Sequence, residues 1–143
     1  MRGRRGFTLL ELLVVVLIIA ILATFVGVQV AQYPAQARVT AAKAQLTVFR
    51  SALGQYRMHN GTVPTAAQGL AALCEKPTLP PVPDNYPAEG YLESRRVPTD
   101  PWGRPYVYLA PGPEGQPYEI VSYGADVEPD GEGEDTDLYL SRL

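Results

Sequence analysis

The chain has one cysteine, one histidine and one tryptophan among its 143 residues. A lone cysteine, Cys74, excludes an intrachain disulfide and any zinc site built on several thiolates. It follows Leu73 in a short apolar stretch, where a small packed thiol is the plain reading. The lone histidine, His59, rules out paired-histidine metal motifs. Its place beside Asn60-Gly61 suits a surface or capping role at a helix end. No glycine-rich phosphate loop and no serine-nucleophile elbow occurs, so no enzymatic activity is expected. Lys and Arg total twelve, and they form no patch with interleaved aromatics. A nucleic-acid partner is therefore not expected.

What is there is unevenly placed. The formal net charge is -3, but Arg2, Arg4 and Arg5 crowd the first residues and the acids crowd the end. Glu119 to Asp137 holds eight carboxylates and no Lys or Arg. Between Phe7 and Val28 nearly every residue is apolar, with Glu11 inside the run. A lone carboxylate in hydrocarbon costs several kcal/mol unless it is paired or neutralised. As a helix, Phe7 to Val30 reaches ~36 Å, enough for the ~30 Å core of a bilayer. The run is too long for a cleaved secretory signal. The arginines ahead of it favour a cytoplasmic N-terminus, with the rest of the chain across the membrane.

The periodicity then changes. Val39, Ala42, Leu46, Phe49, Leu53 and Tyr56 recur at spacings of three and four, and Arg38, Lys43, Gln45, Arg50, Gln55 and Arg57 fall off that stripe. This predicts a half-buried helix outside the membrane, stopped by Asn60-Gly61. Gly27 and Pro34 interrupt the helical run, and a kink or a locally unwound stretch is expected at Pro34. Thr65-Ala66-Ala67-Gln68 has the spacing of a capping box and predicts a short helix to about Cys74. Pro77, Pro80, Pro81, Pro83 and Pro87 impose an extended loop. Asp100-Pro101-Trp102-Gly103 reads as a turn, followed by a strand at Tyr106–Leu109, a second at Tyr118–Tyr123 whose residues alternate as in a half-buried strand, and a third at Leu138–Leu140. The class is α+β, a long N-terminal helix packed on a small C-terminal antiparallel sheet.

Gly6-Phe7-Thr8-Leu9-Leu10-Glu11, behind a short basic leader, resembles the processing site of type IV pilin-like precursors. The resemblance implies a leader of residues 1–6, a transmembrane and filament-core helix at 7–30, and a periplasmic pilin-like domain at 31–143. It implies that a prepilin peptidase cuts between Gly6 and Phe7 and that the new amine of Phe7 is methylated. It also implies a role for Glu11. The carboxylate of one subunit pairs with the Phe7 amine of a neighbour, so two charges that are each unfavourable in low dielectric compensate and set axial register.

Val63-Pro64-Thr65-Ala66-Ala67-Gln68-Gly69-Leu70, Asp100-Pro101-Trp102-Gly103 and Ser122-Tyr123-Gly124-Ala125-Asp126 extend the likeness. In that order they resemble the motifs of the major pseudopilins of type II secretion systems. The implied partners are further copies of the chain, minor pseudopilins, the prepilin peptidase, an inner-membrane assembly platform and membrane lipid. The implied place is a bacterial inner membrane, single-pass. Two features depart from the pattern. Such pseudopilins commonly carry a proline near the position of Val28, and many end in Asp-Ile-x-x-Trp where this chain ends Asp137-Leu138-Tyr139-Leu140-Ser141-Arg142-Leu143.

Asp126 to Asp137 imitates the spacing of an EF-hand loop, but a strand precedes it, Pro129 sits fourth and the last acid is Asp. So many carboxylates repel one another unless a cation or solvent screens them, and oxygen ligands without His or Cys favour Ca²⁺. The resemblance implies one Ca²⁺ held by the backbone carbonyls of Tyr123 and Glu128, the Asp126 side chain, and Asp135 or Asp137, with the Thr136 hydroxyl a weaker candidate. Two rivals stand beside the secretion pseudopilin: a subunit of a type IV pilus or DNA-uptake pseudopilus, and a membrane-anchored calcium-binding module. The acidic loop and Asp100-Pro101-Trp102-Gly103 favour the secretion pseudopilin over the pilus.

Overall fold

The computed structural model describes the backbone of residues 7–143 and the side chains of 7–22, 35–133 and 135–143. The leader with Gly6 lies outside the described residues. The chain divides into two compact units, one ending at Ala35 and the other Gln36–Leu143. Helix α1, Leu9–Asn60, contributes to both. It opens on a side-chain cap, since the backbone N–H of Glu11 donates to Thr8 Oγ1 at 3.2 Å. That satisfies one of the donors that a helix start leaves without a partner. Glu11 thereby sits in the first turn, where a carboxylate is favoured by the helix dipole.

The large apolar side chains from Leu9 (82 % exposed) to Leu22 (58 %) are all solvent-facing in the single chain. Among the described residues no helix is long and apolar enough to cross a membrane. The described side chains of the run stop at Leu22, short of the segment end expected at Val30. Pro34 lies within α1, so the locally unwound stretch is not found.

In the second unit the expected stripe is the buried one. Ala42, Leu46, Phe49, Leu53 and Tyr56 are buried together with Ala52, and Val39 packs partly against them. Asn60 ends the helix because Gly61 adopts φ +75° and its N–H closes onto the Arg57 carbonyl at 2.8 Å. That left-handed conformation favours glycine. Three short antiparallel strands complete the unit: β1 Val107–Leu109, β2 Glu119–Ser122 and β3 Leu138–Tyr139, in the order β1-β2-β3. Val107 pairs with Val121 and Ser122 with Leu138. Phe49 meets the Tyr106 ring edge-on at 5.1 Å, which joins helix to sheet. Replacing Phe49 with Ala is expected to destabilise this unit by ~3–5 kcal/mol through the cavity it leaves. A denaturant melt of the full chain measures that loss.

One of the next two elements follows the sequence expectation and the other differs from it. The capping box is formed, with Thr65 N donating to Gln68 Oε1 at 2.9 Å and Gln68 N to Thr65 Oγ1 at 3.2 Å. The box opens into a turn and a short 3₁₀ helix, Leu70–Leu73, with Cys74 as its C-cap, where the spacing places the end. The Leu73 carbonyl is taken by the N–H groups of Tyr91 and Leu92, and the residue that would next use it is Pro77, which has no N–H. Strand β2 is buried at all four positions instead of alternating. It is the middle strand, and the C-terminal 3₁₀ turn, Leu140–Arg142, packs against it. Glu119, 1 % exposed, accepts from Ile120 N at 3.0 Å and from Ser141 N at 3.1 Å. The Arg50 guanidinium donates to the Leu140 carbonyl, so a buried carboxylate and a helix cation clamp the turn.

Candidate functional site

Two places collect the residues singled out in the sequence. At the start of α1, Phe7 is 79 % exposed and precedes the capped turn that carries Glu11. Thr8-Leu9-Leu10-Glu11 has the Thr-x-x-Glu spacing of a capping box, a signal for this cap that the reading of Glu11 as a membrane charge misses. The structure adds a local role for Glu11, as a first-turn acid, to the assembly role that the resemblance implies.

The second place is the connection between β2 and β3. The pairing of Ser122 with Leu138 puts Tyr123 and Asp137 side by side at the mouth of the loop. Within it, Asp126 Oδ1 accepts from Glu128 N at 3.2 Å and Asp137 Oδ2 from Asp130 N at 3.2 Å. Gly131 lies so close to Asp135 that a Cβ at residue 131 would meet the Asp135 carbonyl oxygen at 2.2 Å. Val127 and Asp130 both hold φ +68°, strained for residues with a Cβ. The structure thus brings Asp130 to Asp137, Gly131 to Asp135, and Asp126 to Glu128. Among the described residues no three acidic, His or Cys side chains converge in metal-ligand fashion.

One atom bears directly on a cation. Asp137 Oδ1 is buried and has no hydrogen-bond partner among the described residues, while Oδ2 also accepts from the Tyr139 hydroxyl at 3.1 Å. Burial and that bond to Asp137 push the Tyr139 phenol pKa up. A buried, unpartnered carboxylate oxygen carries its full desolvation penalty. In a loop that offers only oxygen donors, the residues present fit a hard divalent cation.

Nothing comparable forms around the remaining chemistry among the described residues. One groove, about 830 Å³, is lined by residues that include Cys74, Glu75, Tyr86, Tyr91 and Arg95. Burial and the neighbouring Glu75 raise the Cys74 thiol pKa, the opposite of an activated nucleophile. Burial first, then Cys74 and nearby tyrosines, push the Tyr86 phenol up to about 12. His59 Nδ1 lies 3.2 Å from the Tyr91 hydroxyl, which also accepts from Asn60 Nδ2 at 3.1 Å. This is a helix-end knot, as expected of a surface or capping histidine.

Comparison with known proteins decides the family. The sequence model of the family described as type II secretion system (T2SS), protein G matches residues 29–141. The chain belongs to that family. The prokaryotic N-terminal methylation motif matches residues 1–27, which include Gly6, Phe7 and Glu11. The type II secretion system core protein G of Pseudomonas aeruginosa is 46 % identical over 137 residues, 96 % of this chain and 94 % of that one. The protein of the same name from Escherichia coli K12 is 41 % identical over 139 residues, covering 97 % and 94 %. Among solved structures, the major pseudopilin of the type 2 secretion system of enterohaemorrhagic Escherichia coli aligns with TM-score 0.64 and 39 % identity. That alignment covers 76 % of this chain and 90 % of the other. The protein G match takes in the second unit's helix, its sheet and the acidic loop.

Proposed function

We propose that this chain is the major structural subunit of a type II secretion pseudopilus, with no catalytic role. The observation that carries the reading is the first unit of α1. Its apolar side chains face outward on every side from Leu9 to Leu22, within the methylation motif and ahead of a folded protein G unit. A surface of that kind is stable only when covered. Bilayer lipid covers it in the precursor, which spans the inner membrane once through residues 7–30 with its N-terminus cytoplasmic and residues 31–143 periplasmic. Neighbouring copies cover it in the filament. Glu11 then pairs with the Phe7 amine of the next subunit, while minor pseudopilins and the assembly platform start and drive growth.

In the C-terminal loop, Asp126 and Asp137 with the carbonyls of Tyr123 and Glu128 would hold Ca²⁺, and Asp135 is the further acid at hand. The unpartnered Asp137 Oδ1 favours Asp137 over Asp135 as the later side-chain ligand. The ion supplies positive charge that offsets the crowded carboxylates. The protein's own part is the β2–β3 pairing, which brings the two ends of the loop together.

Processing tests the reading. Intact-mass analysis of membrane-extracted protein is expected to show a chain that starts at Phe7 and carries one added methyl group. Gly6→Val is expected to block cleavage, because a side chain at that junction obstructs close approach to the backbone. A mature population that retains residues 1–6 overturns it.

A further inference from the structure

The Asp100-Pro101-Trp102-Gly103 turn has chemistry beyond a change of direction. Asp100 is 4 % exposed, and both its oxygens are used. Oδ1 accepts from Trp102 N at 3.1 Å and Arg104 N at 2.8 Å, and Oδ2 accepts from the Ser122 hydroxyl at 2.8 Å. The backbone closes the ring as well, with Asp100 N donating to the Arg104 carbonyl at 2.8 Å and Gly103 N to the Asp100 carbonyl at 2.9 Å. Gly103 sits at φ +82°, a conformation that favours glycine. A carboxylate with three donors and a closed backbone ring make this turn a rigid mount.

Two contacts lead from the mount to the acidic loop. Ser122 ends β2 and pairs with Leu138, the residue after Asp137, so the Ser122–Asp100 bond holds the loop's stem. The Arg104 guanidinium crosses to the Ala125 carbonyl, with Nη2 donating at 2.6 Å. Ala125 lies between Tyr123 and Asp126, two of the groups proposed to hold Ca²⁺. We infer that Arg104, mounted on Asp100, is a positioning residue for the cation site of the C-terminal loop. It pins the first turn of the loop through the Ala125 carbonyl, which leaves the Tyr123 carbonyl and the Asp126 carboxylate for the ion. The inference rests on the calcium reading and goes beyond it, because Arg104 is neither acidic nor part of the loop.

A guanidinium beside a cation site is unfavourable by charge alone. Its place there is explained by order: Val127 and Asp130 both hold φ +68°, and a loop with that strain needs holding from outside. Groups that orient metal ligands typically change affinity by ~10–100-fold when removed.

The experiment is calorimetric titration of CaCl₂ into the full chain in detergent micelles, with MgCl₂ as control, for wild type, Arg104→Ala, Arg104→Gln and Arg104→Lys. Melting curves are recorded in Ca²⁺ and in chelator. The expected result is Ca²⁺ affinity weakened about tenfold or more in the Ala and Gln variants and partly regained with Lys. Their melting points are expected to fall further in Ca²⁺ than in chelator. Two neutral replacements are compared so that a fold failure in one leaves the other to read. Unchanged or tighter Ca²⁺ binding, with melting points lowered equally in both conditions, makes Arg104 merely structural and overturns the inference alone. Wild-type protein that binds no Ca²⁺ overturns the calcium reading and this inference together.

Discussion

Glu11→Ala is expected to reach the membrane in normal amount and to form no fibres. Insertion is unharmed because the apolar run only becomes more apolar. The local loss is small: Thr8 Oγ1 still caps the Glu11 position through the backbone N–H, and a first-turn acid contributes only ~0.3–1 kcal/mol to its helix. The assembly loss is larger. With its partner removed, the Phe7 amine of the neighbouring subunit is left desolvated and unpaired, a defect of on the order of 3–5 kcal/mol at each contact. At ~1.4 kcal/mol per tenfold, that weakens each subunit contact by a factor of hundreds or more. Glu11→Gln separates the two roles, since it keeps the shape and removes the charge. It is expected to match the Ala variant in fibre yield measured by shearing and immunoblot, with the membrane fraction as the control. Normal fibre yield from either variant contradicts the pairing.

Calcium removal should produce the second large effect. A ligand that binds only the folded state stabilises it by RT ln(1 + [L]/Kd), ~2.7 kcal/mol at a hundredfold excess over Kd. For a small domain each kcal/mol moves the melting point by roughly 4–8 °C. Chelator is therefore expected to lower the melting temperature of the detergent-solubilised chain by on the order of 10 °C. Ca²⁺ should restore it better than Mg²⁺, which demands a tight octahedron and dehydrates reluctantly. Asp126→Ala is the cleaner variant. Asp137 accepts from both Asp130 N and the Tyr139 hydroxyl, against the single bond from Glu128 N at Asp126, so loss of Asp137 disturbs the loop more whether or not an ion is bound. Asp126→Ala is expected to remove the calcium response while the buried stripe from Ala42 to Tyr56 stays folded. A melting curve indifferent to chelator and to Asp126→Ala reduces the loop to solvated acids.

Local chemistry was legible in the sequence, and tertiary closure was not. The stripe from Val39 to Tyr56 announced the buried face of α1 because helical periodicity needs no knowledge of the partner surface. Gly61 ended the helix where a left-handed residue was needed, and Thr65 with Gln68 formed the capping box that their spacing described. The short helix beyond that box ends where expected, and what stops it is long-range: the Leu73 carbonyl is claimed by Tyr91 and Leu92, residues distant in sequence. Strand β2 looked half-buried, and only the return of the C-terminal turn, with Ser141 N on Glu119, covers its remaining positions. At the loop, composition pointed to an oxygen-rich cation site. The groups that hold the loop's stem and first turn, Asp100 through Ser122 and Arg104 through the Ala125 carbonyl, lie some twenty residues upstream and carry no local signal. The Thr8 cap is written in plain spacing, but the apolar run around Glu11 points first to a membrane charge and hides it.

Electron microscopy of cells that co-express the full chain with its prepilin peptidase and assembly platform tests the central claim most directly. Thin surface-sheared fibres that contain the chain, abundant with Ca²⁺ and depleted by chelator, are the predicted result. A chain that is processed and held in the membrane yet forms no fibres in either condition contradicts the account.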